Sequence, residues 1–336
     1  MVKVAVLGAS GYAALEAIKI LLRHPQAELV ACVSRKEGAP PLHEVHPSLY
    51  QRTSLTCEEL DAMQLRSRGV SCVFSCLPHG ASREVVGKLL ACQIRVIDLS
   101  ADYRLEDIAL FKKWYGEEHG DAVNLAHAVY GLPELNKKAI AAARLVANPG
   151  CYSQTGILGL APLLAKKLID PKNIIMDSKS GVSGAGRDPK PHTHFPECNE
   201  SVSAYQVGMH RHTPEMEQAL SKVAGESVHI LFSPHLIPMD RGIFSTIYAR
   251  PLRQVSQTGL NALAKEFYQG HPFVRIVDRL PSTKDVTGTN YLDLHYLLAG
   301  GHVVVLAVLD NLIRGASGVA VQNFNLMHGF PETEGL

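Results

Sequence analysis

Val2-Lys3-Val4-Ala5-Val6-Leu7 is a short β-branched, apolar run that passes directly into Gly8-Ala9-Ser10-Gly11-Tyr12-Ala13-Ala14, after which a helical pattern continues to Pro25. A strand that turns through glycines into a helix confines the chain to an α/β architecture with crossover connections. The same unit prepares a nucleotide site. Gly8 permits the tight turn, Gly11 lets a pyrophosphate approach the backbone, and the helix N-terminus then faces the phosphates. Ala14 supplies the small residue that helix–sheet packing needs. The plain alternative is an ordinary strand-to-helix turn, which the motif's place after the first strand disfavours.

The next strand, residues 28–34, runs into Ser34-Arg35-Lys36, where an acidic residue would normally hold the ribose hydroxyls of NAD. An acid repels a 2′-phosphate and an Arg-Lys pair attracts it, so the expected cofactor is NADP. Strands at 71–75 and 95–99, with a helix over 82–91 between them, extend a Rossmann-type parallel sheet. At their carboxyl ends stand Leu77-Pro78-His79-Gly80 and Asp98-Leu99-Ser100-Ala101-Asp102-Tyr103-Arg104, on the edge where such sheets bind ligands. Ser100 and Arg104 are candidates to hold a substrate phosphate, and an Asp102–Arg104 surface ion pair is the competing reading.

Near the middle of the chain, Ala147-Asn148-Pro149-Gly150-Cys151 is turn chemistry followed at once by a thiol and then by an apolar, helical run through Leu164. Pro162 is expected to kink or restart that helix. A free thiol with a pKa of about 8.5 is mostly protonated at neutral pH, and the positive end of a helix favours its anion. Cys151 is therefore the candidate nucleophile, against the bland reading of a buried structural cysteine.

The pattern then changes. A strand at 174–179 opens into the glycine-rich 180–186, which suits a backbone that closes over a ligand and equally an ordinary flexible connection. His192, His194, Glu197, Glu200, His210, His212 and Glu215 follow; their spacing matches no metal motif, so no metal is expected and acid–base work is preferred. Thr213-Pro214-Glu215 reads as an N-cap, a proline at N1 and an acid in the first turn, which places both His210 and His212 just before a helix. Strands at 228–237 and 242–250 meet through Pro238 to Gly242, where Arg241 suits a carboxylate or phosphate. A hairpin turns at Gly300-Gly301, so the second half is expected to be α+β with a largely antiparallel sheet. A last helix, 315–327, is expected to return to the first domain.

With 336 residues the chain suits two domains, and 33 Lys plus Arg against 32 Asp plus Glu argues against a nucleic-acid or membrane-surface partner. Seven cysteines without paired spacing, and a strand pattern that begins at Val2, suggest a reduced, cytoplasmic protein without a leader.

Taken together, Gly8-Ala9-Ser10-Gly11-Tyr12, Asp98 to Asp102, Tyr130-Gly131-Leu132-Pro133-Glu134, Asn148 to Tyr152, Ser180 to Gly186, His210 to Glu215, Pro234-His235-Leu236 with Arg241-Gly242, and Asp310-Asn311-Leu312 with Gly315-Ala316 resemble the N-acetyl-gamma-glutamyl-phosphate reductase family over nearly the whole chain. The chain departs from the family at Ser153-Gln154 (usually Pro-Thr), Ala14 (glycine), Arg314 (lysine) and Val319 (glutamine), none of which removes the thiol or the histidines. The resemblance implies a Rossmann-type NADP domain over 1–147 completed by a C-terminal helix at 313–336, and a catalytic and oligomerisation domain over 148–312. It implies that NADPH reduces N-acetyl-gamma-glutamyl phosphate, with release of phosphate, through a thioester on Cys151. His210 is the implied acid/base, His212 its alternate and Glu215 an orienter. The cofactor would be held by Gly8, Ser10, Gly11, Tyr12, Ser34, Arg35, Lys36, Pro78, Ser183, Gly184 and Asn311, and the substrate by Ser100, Arg104 and Arg241. A homodimer or homotetramer is implied. The rival readings are a related reductase acting on aspartyl or aminoadipyl phosphate, a non-catalytic NADP sensor, and a zinc hydrolase.

Overall fold

The computed structural model describes residues 1–34 and 38–336, and the chain forms two compact units: Met1–Pro149 with Ala316–Leu336, and Gly150–Gly315. Among the described residues no helix is long and apolar enough to cross a membrane.

Among the described residues of the first unit, seven strands, β1 (Val2–Leu7), β2 (Ala27–Val33), β3 (Cys57–Glu58), β4 (Cys72–Ser75), β5 (Arg95–Asp98), β6 (Val129–Tyr130) and β7 (Leu145–Ala147), lie in the order β3-β2-β1-β4-β5-β7-β6. Every pairing is parallel. The order reverses between β1 and β4, which puts the crevice at the carboxyl ends of those two strands, where the Gly8 turn emerges. Such strands are covered on both faces and read as continuous apolar runs. Val4, Ala5, Val6 and Leu7 of β1 are accordingly all fully buried. Beyond these strands, the helix Gly318–His328 of this unit packs against Tyr12–Leu21 and Pro133–Ala142. It starts as a π-helical turn, Ile313–Ser317, rather than as a plain helix. The first helix closes at Leu21, short of the Pro25 suggested by its pattern.

The second unit carries β8 (Ile169–Ser180), β9 (Ser203–Ala204), β10 (Ile230–Leu236), β11 (Ile243–Pro251), β12 (Val274–Ile276), β13 (Leu292–Ala299) and β14 (His302–Leu309), in the order β12-β13-β14-β11-β8-β10-β9. Four pairings are antiparallel and two, β8 with β10 and β12 with β13, are parallel. The β13–β14 hairpin turns through Gly300 and Gly301 at φ 55° and 78°, the primed geometry that matches strand twist. Helices Cys151–Ala165, His212–Ala224 and Gln257–Phe267 belong to this unit, and the first lies on the sheet at Gly159, against Ile247 and Val305.

Pro162 neither breaks nor restarts the Cys151–Ala165 helix. A proline there lacks the N–H that would bond the carbonyl four residues earlier. That carbonyl, on Leu158, instead accepts the Tyr268 hydroxyl at 2.5 Å, and Tyr296 donates to the neighbouring Gly159 carbonyl at 3.1 Å. Two tyrosines from other elements thus satisfy the stretch that the proline disrupts.

Candidate active site

The turn after β1 is shaped by its own backbone. Gly8 sits at φ 71°, and a Cβ on it would lie 2.5 Å from the carbonyl oxygen of Cys76. Gly11 donates to the Gly8 carbonyl at 3.1 Å and forms the N-cap of Tyr12–Leu21, with no side-chain cap and no acid in the first turn. The first-turn N–H groups have no acceptor within the helix, an arrangement that suits a phosphate. Ser10, Gly11 and Tyr12 are half-buried around it. Ala9 is fixed from both sides: its N–H donates to Val33, and its carbonyl lies 2.7 Å from His46 Nε2. Ser34 is buried at the end of β2 and donates its N–H to Glu58. Arg35 and Lys36, which carry the expectation of NADP over NAD, lie outside the described residues. Pro78 is exposed after β4, before Gly80, whose N–H reaches both carboxylate oxygens of Asp102 at 2.9 and 3.0 Å.

Ser100 and Arg104 are built into this loop framework. Ser100 Oγ donates to Asp98 at 2.6 Å and accepts the Asp102 N–H. Arg104 Nε donates to the Asn148 carbonyl and its Nη2 to Leu99, each at 2.8 Å. Burial pushes the Asp98 carboxyl up to about 6 despite hydrogen bonds from Ser82 and Ser100.

In the second unit, Gly150 caps the Cys151–Ala165 helix with an extended backbone and no side-chain cap. Its N–H donates to Glu215 Oε1 at 2.7 Å, so this buried carboxylate holds the backbone immediately before the thiol. His212 lies against the same residue: a Cβ on Gly150 would meet its Nε2 at 2.4 Å. On another side, a Cβ on Gly315 would come within 2.8 Å of Cys151 Cβ. The rings of His210 and His212 are 4.7 Å apart, and Tyr152 stands edge-on to both at 5.6 and 6.1 Å. Cys151, both histidines and Glu215 are therefore gathered at one helix start.

The helix after His210 begins two residues earlier than Thr213-Pro214 suggests. It spans His212–Ala224, Arg211 is its helical N-cap, and Thr213 Oγ1 is buried without a hydrogen-bond partner. The acceptor at its start is the His210 imidazole, whose Nδ1 takes the His212 N–H at 3.0 Å. An accepting Nδ1 puts the proton of the neutral ring on Nε2. Burial, reinforced by the charge of Arg211, brings His210 down to about 4, so the ring is neutral at pH 7. Burial also pushes Tyr205 up to about 12 and raises Tyr152; their hydroxyls, 3.0 Å apart, stay protonated.

The 180–186 stretch folds as the short helical turn Val182–Ala185, tied down by Asn311. The Asn311 amide donates to Ser183 Oγ at 3.0 Å and accepts the Gly242 N–H at 2.7 Å, while Ser183 Oγ donates to Asp240. Gly184 passes so close to Ser180 that a Cβ would stand 2.9 Å from its hydroxyl. Arg241, about one-quarter exposed, has its guanidinium 3.7 Å from Asp240 and 3.8 Å from Asp310. Among the described residues no group of three His, Cys, Asp or Glu side chains is placed to hold a metal ion.

The sequence pattern does not mark β7, the strand that delivers the turn, nor the supports of Asn148. Asn148 in an Asn-Pro-Gly turn was the available signal, but its partners lie far along the chain.

The semialdehyde dehydrogenase NAD binding domain matches residues 3–143, and the semialdehyde dehydrogenase dimerisation domain matches residues 151–311. N-acetyl-gamma-glutamyl-phosphate reductase of Desulforudis audaxviator is 48% identical over 340 residues, covering 100% of this chain and 98% of that protein. The protein of that name from Citrifermentans bemidjiense is 49% identical over 341 residues, with the same coverage. Among solved structures, aspartate semialdehyde dehydrogenase II of Vibrio cholerae superposes with a TM-score of 0.73 at 14% identity over 98% of each chain. Aspartate semialdehyde dehydrogenase with NADP from Candida albicans gives 0.69 at 14% identity, also over 98% of each chain. These two share the fold.

Proposed function

Since the chain belongs to the N-acetyl-gamma-glutamyl-phosphate reductase family, we propose that it reduces N-acetyl-gamma-glutamyl phosphate to N-acetyl-L-glutamate 5-semialdehyde, a step of arginine biosynthesis, through a thioester on Cys151. The observation that carries this reading is the setting of Cys151, first residue of a 15-residue helix with no side-chain cap, between His212, Glu215 and Gly315. The first-turn N–H groups and their partial positive charge favour the thiolate that attacks the acyl carbon and expels phosphate.

The two histidines then divide the proton work. His210, neutral and with Nδ1 occupied by the His212 N–H, offers Nε2–H as a donor to the oxygen that gains charge. His212, packed on Gly150 immediately before Cys151, takes the thiol proton in this reading. Glu215 fixes the Gly150 backbone rather than acting on substrate. Arg241, whose guanidinium lies 3.7 Å from Asp240 and 3.8 Å from Asp310, suits the substrate's carboxylate or phosphate. The open glycine turn at Gly8–Gly11 fits a dinucleotide pyrophosphate, with Ser10 and Tyr12 at its edge, and Arg35-Lys36 support NADP by their charge. Bound there, NADPH supplies the hydride that reduces the thioester.

Assembly is proposed through the outer face of the second sheet. Leu297, Val304, Tyr248, Ile175 and Leu231 are in register across five strands, and Tyr248, Ile175 and Leu231 are exposed. An apolar row of this kind suits a second copy, as the match to a dimerisation domain supports. A cytoplasmic setting fits the seven cysteines, which form no disulfide.

The test is NADPH formation from N-acetylglutamate semialdehyde, NADP and phosphate, with aspartate semialdehyde and NAD run alongside. Phosphate-dependent turnover of the acetylated aldehyde, lost in Cys151→Ser while NADP still binds, is expected. Turnover of aspartate semialdehyde alone, or an active Cys151→Ser protein, would overturn the reading.

A further inference from the structure

Asn148 stands three residues before Cys151, and all four of its hydrogen-bonding groups are occupied within the first unit. Its N–H donates to Asp98 at 2.8 Å, and its carbonyl accepts Arg104 Nε at 2.8 Å. Its Nδ2 donates to the Ala316 carbonyl at 3.0 Å, and its Oδ1 accepts Asn323 Nδ2 at 3.1 Å. The side-chain half of this arrangement comes entirely from the C-terminal segment.

Asn323 is itself fully buried in the helix Gly318–His328, and the same Nδ2 donates to the Gly131 carbonyl at 2.9 Å. Gly131 makes room for it: a Cβ there would lie 2.6 Å from the amide nitrogen. One amide thus clamps the carbonyl after β6 to the side chain after β7, 175 residues earlier in the chain. Only Pro149, with its fixed φ, separates Asn148 from Gly150.

We propose that Asn323 is a positioning residue for the nucleophile: by holding Asn148 it fixes the Asn148-Pro149-Gly150 turn and hence the entry of Cys151 into its helix. It touches neither thiol nor substrate. A buried amide whose only role was to stabilise the fold would have no reason to act on this turn, and the same helix supplies that comparison. Asn325 is equally buried and pairs with His24 at 2.8 Å and with the carbonyls of Glu332 and Glu334, all remote from the turn.

The role in turnover rests on the proposed activity, so the test has a readout independent of it. Asn323→Leu and Asn325→Leu are compared in the full-length protein for the rate and pH profile of Cys151 alkylation by iodoacetamide, followed by peptide mass spectrometry. Semialdehyde turnover and melting temperature are recorded beside it. Asn323→Leu is expected to slow alkylation at pH 7 at least fivefold and shift its profile to higher pH. It should lower kcat at least tenfold with little change in KM, whereas Asn325→Leu should lose melting temperature alone. If Asn323→Leu does not fold, Asn323→Ser must give the same shift in smaller measure. An unchanged alkylation profile in the folded Asn323 variant, or equal losses in both variants, would overturn the proposal. A native protein that turns over no semialdehyde yet still shows the alkylation difference would remove the proposed activity and leave the positioning role standing.

Discussion

At the end of β1 and again at the end of β7 the chain leaves a parallel strand through a glycine turn and starts a helix whose N-cap is a glycine without a side-chain cap. The two turns are held differently. The first depends on a left-handed Gly8 and on the absence of a Cβ beside Cys76, both local to the motif and its neighbouring strand. The second has an ordinary Gly150 at φ −69°, bonded to Glu215 and packed by His212, while Asn148 before it is bonded to Asp98, Arg104 and Asn323. A site that must receive a flexible cofactor can rest on backbone conformation. A site that must aim one sulfur atom needs tertiary support.

The sharpest way to separate the two turns is to add one methyl group to each. Gly150→Ala places a Cβ 2.4 Å from His212 Nε2, so the ring must move by about an ångström. A misplacement of that size costs roughly 100-fold in turnover. The expected result is that loss in kcat with cofactor affinity unchanged, read by steady-state kinetics and NADPH fluorescence titration.

Gly8→Ala should do the reverse. The left-handed backbone costs an alanine about 1–2 kcal/mol before its contact with Cys76 is counted, enough to weaken NADPH binding at least tenfold. Alkylation of Cys151 without cofactor should stay normal, and equal effects on both sites would break the contrast.

Glu215→Ala tests the tertiary support by itself. Loss of a hydrogen bond to a charged group costs about 1.5–3 kcal/mol, so kcat should fall roughly 10- to 100-fold if the Gly150 N–H needs this acceptor in the transition state. Away from both turns, Tyr268→Phe leaves the Leu158 carbonyl opposite Pro162 without its donor. About 1–3 kcal/mol of stability, measured by urea denaturation, should go with kcat unchanged.

The smallest effect is on stability against pH. His210 and His328 are both lowered from 6.5 to about 4, chiefly by burial, so between those values the unfolded chain binds more protons and stability falls as pH falls. Asp98, raised by burial from 3.8 to about 6, acts in the opposite sense over that window, since the folded carboxyl keeps a proton the unfolded one has released. The melting temperature should drop between pH 7 and pH 5, and drop less in His210→Gln.

This contrast also explains what was legible. The β1 turn could be read from its letters because Gly8 and Gly11 carry their reason within themselves, and the alternation of strands and helices gave the parallel sheet. The Gly300-Gly301 hairpin was readable for the same reason. Around Cys151 the residue types were visible but their partners were not. Glu215 suggested an orienter of imidazole, and its carboxylate is bonded to the Gly150 backbone. Thr213 suggested a cap, but the His210 ring occupies that role because Arg211 already adopts helical geometry. Pro162 suggested a break, which two distant tyrosines prevent. At Pro162 the local preference is overridden by groups remote in sequence, and at Thr213 by a ring three residues away.

The most direct test of Cys151 as the aimed nucleophile is capture of its acyl form. The protein is mixed with N-acetylglutamate semialdehyde and NADP without phosphate, quenched in acid, digested and examined by mass spectrometry. The account predicts an N-acetylglutamyl group on the peptide containing Cys151, removed when phosphate is added before the quench. An unmodified Cys151 peptide in a protein that forms NADPH, or the acyl group on Cys198 or another thiol, would contradict it.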